Sequence, residues 1–173
     1  LWVGDILTKG LITQYLGFTP IHGLYQPWRI LTTAFLHVNI MHIAFNMVSL
    51  YAVGRALEPA LGRGPYFCLY LLSALGGTLG VLGWVLIDPS SALTVTVGAS
   101  GAIFGLFGSV FVLQRAAGID VRAVAGLLAV NLLYGFIVSG VSWQAHLGGL
   151  LFGMLATWGM LALGKPRSGM TAK

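Results

Sequence analysis

The sequence predicts an all-α, polytopic membrane helical bundle, and three observations predict it. Of the 173 residues, 57% are hydrophobic and 8% are charged, against roughly 25% charged in a soluble domain. The mean hydropathy is +0.90. The apolar residues are gathered into five runs near the ~20 residues that cross a bilayer, with only short polar breaks between them. A chain of this size builds one bundle rather than several domains. The nine Lys and Arg residues stand singly between the runs and form no stripe, which argues against nucleic acid as a partner. Cys68 is the single cysteine, so an intrachain disulfide and a cysteine metal site are both excluded.

Taken in order, residues 1–36 read as an amphipathic, aromatic-rich loop broken by Gly10, Gly17, Pro20, Gly23 and Pro27. Leu1 is not an initiator methionine, and a further span is expected to precede it. Residues 37–57 form the first span, interrupted by His37, His42 and Asn46 and ended by Arg55, Glu58 and Pro59. Residues 65–87 form an uncharged second span, closed by Asp88-Pro89 because proline lacks the amide donor and aspartate is costly in hydrocarbon. The third, residues 98–114, is short and glycine-rich. About 17 residues rise only ~26 Å, so this span is expected to begin below the membrane surface. Residues 123–139 and 143–164 supply the last two, joined by Gly140-Val141-Ser142, and residues 165–173 form a polar tail. The expected organisation is one membrane domain over 1–164 and a cytoplasmic tail.

Basic residues orient the spans. Arg55, Arg63, Arg115, Arg122, Lys165, Arg167 and Lys173 fall on one side of five antiparallel helices, and only Lys9 and Arg29 fall on the other. The positive-inside rule then makes the C-terminus and the 58–64 and 115–122 loops cytoplasmic in a multi-pass cell-membrane protein. Residues 1–36, 88–97 and 140–142 face outward.

That orientation brings His42, Asn46, Ser100 and His146 to the outer half of the membrane from three different spans. Each is expensive in lipid unless it is paired or faces a water-filled cavity, so their shared depth implies a site opening to the outer side. Serine needs a base to become a nucleophile, and histidine is the side chain best suited to that at neutral pH. All four acidic residues, Asp5, Glu58, Asp88 and Asp120, lie in loops or at span ends. A Ser100–His146 dyad without a carboxylate follows, acting on peptide bonds within the membrane. The Ser100 backbone N–H, with the side chains of His42 and Asn46 one turn apart on one helix face, would hold the oxyanion. Gly101, Gly105 and Gly108 on the third span, with Gly149 and Gly153 on the last, would let the two backbones approach closely. His37 is about 140° around the helix from His42, at ~100° per residue, and reads as structural. No metal site is expected, since no intramembrane carboxylate is available to orient the histidines. A channel or transporter is the other class considered, but the inner half of the spans offers almost no polar group to continue a path.

Four motifs in order, Trp28-Arg29, His42-x-x-x-Asn46, Gly98-x-Ser100-Gly101 and Ala145-His146-x-x-Gly149, resemble those of rhomboid intramembrane serine proteases, and they extend over nearly the whole chain. The resemblance implies Ser100 as nucleophile, His146 as general base, His42 and Asn46 as oxyanion donors, transmembrane proteins as substrates and no cofactor. It also implies a six-helix core, of which five spans are read here, a first loop partly embedded in the outer leaflet, and substrate access between the span carrying His42 and that at 123–139. Phe104 stands where the family often has tyrosine and is expected to pack against the His146 ring. Trp28 and Arg29 are expected to anchor the first loop at the lipid headgroups, the arginine through a phosphate or a backbone carbonyl. The alternative within the same fold is an inactive rhomboid-like protein that binds other membrane proteins.

Overall fold

Side-chain caps and glycines set several of the helix ends in the computed structural model, which describes residues 1–164. The expected polar tail at 165–173 lies outside the described residues. Residues 1–36 are not a loop but a series of short helices, α1 (Trp2–Leu7), α2 (Leu11–Leu16), α3 (Pro20–Gly23) and α4 (Arg29–Thr32), followed by a 3-10 turn at Thr33–Phe35. The predicted breakers act here as joints. Gly10, at φ 89°, reverses the chain between α1 and α2, and Pro20 opens α3, where its missing amide costs nothing. Asp5 ties the first two helices by accepting from the Thr13 amide and hydroxyl, both at 2.7 Å.

Five longer helices follow: α5 (Ile40–Leu61), α6 (Arg63–Trp84), α7 (Ser100–Ala116), α8 (Arg122–Ile137) and α9 (Trp143–Leu163). Of these, α5, α6 and α9 are long and apolar enough to cross a membrane, while α7 and α8 are apolar but have 17 and 16 residues. The chain is a membrane-embedded all-α bundle. Boundaries differ from the expected spans by a few residues. The first helix starts at Ile40, not at His37, because the Asn39 side chain caps it by accepting from the His42 amide at 2.8 Å. It also runs through Pro59 and stops at Gly62, whose φ of 84° closes α5 and opens α6. Near the other end of α6, the Asp88 carboxylate holds the Ser90 amide and hydroxyl at 3.1 and 2.6 Å, starting a 3-10 turn at Pro89–Leu93.

The centre of the bundle is α7, with Gly101 through Leu106, Gly108 and Ser109 buried. Packed along it is α9, which also lies against α6, while α5 and α8 sit at the flanks. Glycine makes this closeness possible. A methyl group at Gly149 would lie 1.9 Å from the Gly101 carbonyl oxygen, and one at Gly153 would lie 2.1 Å from that of Gly105, so both expected contacts are backbone against backbone. A second seam joins α9 to α6. There, a methyl at Gly148 would lie 2.3 Å from the Gly76 oxygen, and one at Gly80 would lie 2.4 Å from that of Gln144. Only the first seam was expected.

The N-terminal segment is fastened to the stretch that leads into α7. Phe18 and Thr96 exchange backbone hydrogen bonds at 3.1 and 2.8 Å in an isolated antiparallel bridge. Thr33 adds two more, its hydroxyl donating to the Thr96 carbonyl at 2.5 Å and its own carbonyl accepting from the Gly98 amide at 3.0 Å. Phe18 and Leu36 are both almost wholly buried beneath this junction.

Candidate active site

Ser100 is the first residue of α7, and its position follows from the backbone before it. Gly98 has φ 129°, a conformation that L residues rarely adopt, and the Thr33 carbonyl holds its amide. The chain thus turns sharply and presents the start of α7, whose first amides have no carbonyl four residues back to bond. Those amides and the positive end of the helix dipole point at the same place as the serine. His146 lies in the first turn of α9, where the Ser142 side chain caps by accepting from the Ala145 amide at 3.4 Å.

The two side chains meet. His146 Nε2 and Ser100 Oγ are 2.9 Å apart, 46 residues distant in sequence. Phe104, one turn below Ser100, stacks on the imidazole with ring centroids 4.1 Å apart and planes within 10°. It fixes the plane of the ring without offering a hydroxyl. His146 Nδ1 is buried and has no hydrogen-bond partner among the described residues. Asp5 bonds to Thr13, Glu58 faces Arg63 at 3.3 Å, Asp88 bonds to Ser90, and Asp120 pairs with Arg122 at 2.6 Å. Hydrogen bonding to Thr13 lowers the Asp5 pKa, and hydrogen bonding to Arg122 lowers that of Asp120. With Nε2 accepting from the serine hydroxyl, the imidazole is arranged to take that proton.

His42 flanks the same point. A methyl at Gly98 would sit 2.8 Å from both Cε1 and Nε2 of His42 and 3.7 Å from Ser100 Oγ, so the ring and the hydroxyl look onto one small space. Asn46 is buried, and its amide nitrogen donates to the His42 carbonyl at 2.9 Å. The carboxamide therefore uses one hydrogen on its own helix and keeps the other. Gly101, the residue after the serine, and Gly149, three residues after the histidine, hold α7 and α9 together beside the pair.

Two sequence expectations need correction. Of the two partners expected for Arg29, the structure shows the backbone carbonyl and not a headgroup anchor: the residue is buried, its guanidinium donates to the Gly17 carbonyl at 2.7 Å, and its Nε bonds Gln26. A buried, internally paired arginine is a clamp on the N-terminal segment rather than a topology signal. Trp28 is half exposed and bonds the Tyr15 carbonyl at 3.2 Å. His37, set aside on a helical wheel, lies before α5, where that angle has no meaning; its ring stands edge-on to His42 with centroids 5.0 Å apart. The signal that locates it is Asn39, a helix-capping residue three positions ahead of His42. Thr33 and Thr96 were also missed, because their bonds join segments far apart in sequence.

Both α5 and α8 pack against α7. Among the described residues no group of three or more His, Cys, Asp or Glu side chains is placed to hold a metal ion.

A family model described as the Rhomboid domain matches residues 25–163. The rhomboid protease GluP of Bacillus subtilis is 34% identical over 154 residues, covering 84% of this chain and 28% of that protein. The putative rhomboid protease YdcA of the same organism is 38% identical over 136 residues, covering 76% and 66%. The rhomboid protease AarA of Providencia stuartii is 29% identical over 152 residues, covering 74% and 54%. The chain thus spans between about a quarter and two thirds of the length of these relatives.

Proposed function

The chain belongs to the rhomboid family, and from that premise we propose that it is an intramembrane serine protease that cuts transmembrane proteins by a Ser100–His146 dyad. The observation that carries the reading is the 2.9 Å contact between Ser100 Oγ and His146 Nε2 at the adjoining ends of two closely packed helices. His146 removes the hydroxyl proton as Ser100 Oγ attacks the scissile carbonyl carbon. The oxygen of the tetrahedral intermediate takes up the negative charge. It is met by the Ser100 amide at the start of α7 and by the side chains of His42 and Asn46. Collapse breaks the C–N bond, and His146 gives its proton to the departing amine. Water, deprotonated by the same imidazole, then hydrolyses the acyl-enzyme.

Many serine proteases orient their histidine with a carboxylate. Here the stacked Phe104 does the orienting, and all four acids are engaged elsewhere. The distribution of basic residues supports a cytoplasmic C-terminus and a catalytic pair toward the outer face. In keeping with the family resemblance, a substrate approaches between α5 and α8. It must be locally unwound, because a helix keeps its carbonyls in internal hydrogen bonds, so helix-weakening residues at the cleavage point are favoured.

The test is labelling with a fluorophosphonate and cleavage of a transmembrane substrate in liposomes, comparing the chain with Ser100→Ala. Loss of both in the variant at unchanged melting temperature supports the reading. Cleavage by a folded Ser100→Ala protein overturns it.

A further inference from the structure

We propose that the turn at residues 37–39 is a positioning device that sets the tautomer and the aim of His42, with His37 as its working side chain; this deepens, and rests on, the oxyanion role given to His42 above. Three consecutive residues grip His42 by three different handles. The His37 ring stands edge-on to the His42 ring, with centroids 5.0 Å apart and planes at 70°. The Val38 amide points at His42 Nδ1, 3.5 Å away. The Asn39 side chain accepts from the His42 backbone amide at 2.8 Å, fixing where the helix begins and hence where the His42 side chain leaves it.

The consequence is chemical. A neutral imidazole carries one proton, and the nitrogen that accepts from an amide cannot be the one that holds it. With Nδ1 facing the Val38 N–H, the proton sits on Nε2, which is the nitrogen beside Gly98 and the Ser100 hydroxyl. The opposite tautomer would turn a lone pair toward the developing oxyanion and repel it. At 3.5 Å the Val38 contact is long, so it needs the ring held in line. His37 supplies that: packed against the His42 face or edge, it restricts rotation of the ring about its bond to the backbone. Its own Nε2 is buried with no hydrogen-bond partner among the described residues, and its ring is left packed against His42. His37 thus acts through His42 and is a positioning residue.

Two measurements test this. In nitrogen-15 NMR of ring-labelled histidine in lipid nanodiscs at about pH 8, where imidazoles are neutral, the His42 signal, assigned by its loss in His42→Gln, should show a protonated Nε2 and a bare Nδ1. A proton on Nδ1 overturns the proposal whatever the activity. In cleavage kinetics, His37→Ala should lower kcat about tenfold with KM unchanged, the signature of an interaction used only in the transition state. His37→Phe, which keeps the edge-on packing without the nitrogens, should recover most of the loss. Adding His37→Ala to His42→Ala should cost nothing more, since the effect runs through His42. A full additional loss in the double variant, or an unchanged kcat in a folded His37→Ala, overturns the positioning role. If His42→Ala itself leaves kcat unaltered, the oxyanion reading fails, and the spectrum alone then judges the tautomer.

Discussion

Replacing Gly149 by alanine adds a single methyl group, yet the geometry makes it one of the more damaging changes available to this protein. The new carbon would lie 1.9 Å from the Gly101 carbonyl oxygen, 2.6 Å from its carbonyl carbon and 3.2 Å from its Cα. All three are backbone atoms, so no side chain can swing aside. Restoring ordinary contact requires the two helices to part by about 1.5 Å at that rung. The serine is the residue before Gly101 and the histidine lies three residues before Gly149, and the two are 2.9 Å apart. If that displacement carries through, their separation passes ~4 Å, beyond any useful hydrogen bond. Loss of a positioned base lowers turnover by about a hundredfold or more, and overpacking of a tight core costs about 1–3 kcal/mol. Turnover of a transmembrane substrate in liposomes, together with the melting temperature in detergent, measures both. Gly159→Ala is the control, since a methyl there meets nothing within 4 Å among the described residues, and it should leave activity and stability near their starting values. A Gly149→Ala protein that cuts and melts like the parent would refute the claim that close approach of these helices holds the catalytic pair.

Further outcomes follow from the same geometry. Asp5→Asn, Glu58→Gln, Asp88→Asn and Asp120→Asn should each keep turnover within about threefold, whereas His146→Ala should lose it; a large drop in any acid variant that remains folded would replace the dyad by a triad. His42→Ala and Asn46→Ala should lower kcat by about 100- to 1000-fold with little change in KM, and a variant that loses stability while turnover per folded molecule is kept would assign that residue to helix packing instead. The Asp5 carboxyl titrates below its ordinary range, chiefly because of the Thr13 hydroxyl. Its stabilising effect is therefore complete above the unfolded-state value near 3.8 and is lost as pH falls through the lower folded value. As pH falls below about 4 the parent should lose more melting temperature than Asp5→Asn; parallel curves would show that this bond contributes nothing.

What could be read from the sequence was whatever the membrane or the local chain imposes. Long apolar runs located all five helices, because hydrocarbon tolerates little else, and polar groups sharing one depth marked Ser100, His146, His42 and Asn46. The spacing of Gly101 and Gly105 against Gly149 and Gly153 anticipated the seam between α7 and α9. What escaped depends on partners distant in sequence or on helix ends. Arg29 looks like any interfacial cation until the Gly17 carbonyl is seen in front of it. Pro59 looks like a stop, but it sits in the last turn of α5, where continuing the helix requires little beyond one missing bond. The seam of Gly76 and Gly80 against Gly148 went unread because a pair of glycines says nothing of which helix will face them. Short helices in residues 1–36 escaped because four-residue segments carry too little periodicity to register.

The bridge between Phe18 and Thr96 bears on the order in which the protein is made. It closes a loop from residue 18 to residue 96, and His146, the proposed base, is synthesised later still, on α9. Contacts so far apart in the chain form late, since the entropy of closing large loops must be met before they give anything back. A nascent chain halted before α9 therefore holds Ser100 without His146, its hydrogen-bond partner. On the proposed mechanism, a chain emerging among other proteins' unfolded transmembrane segments stays inactive until α9 packs against α7.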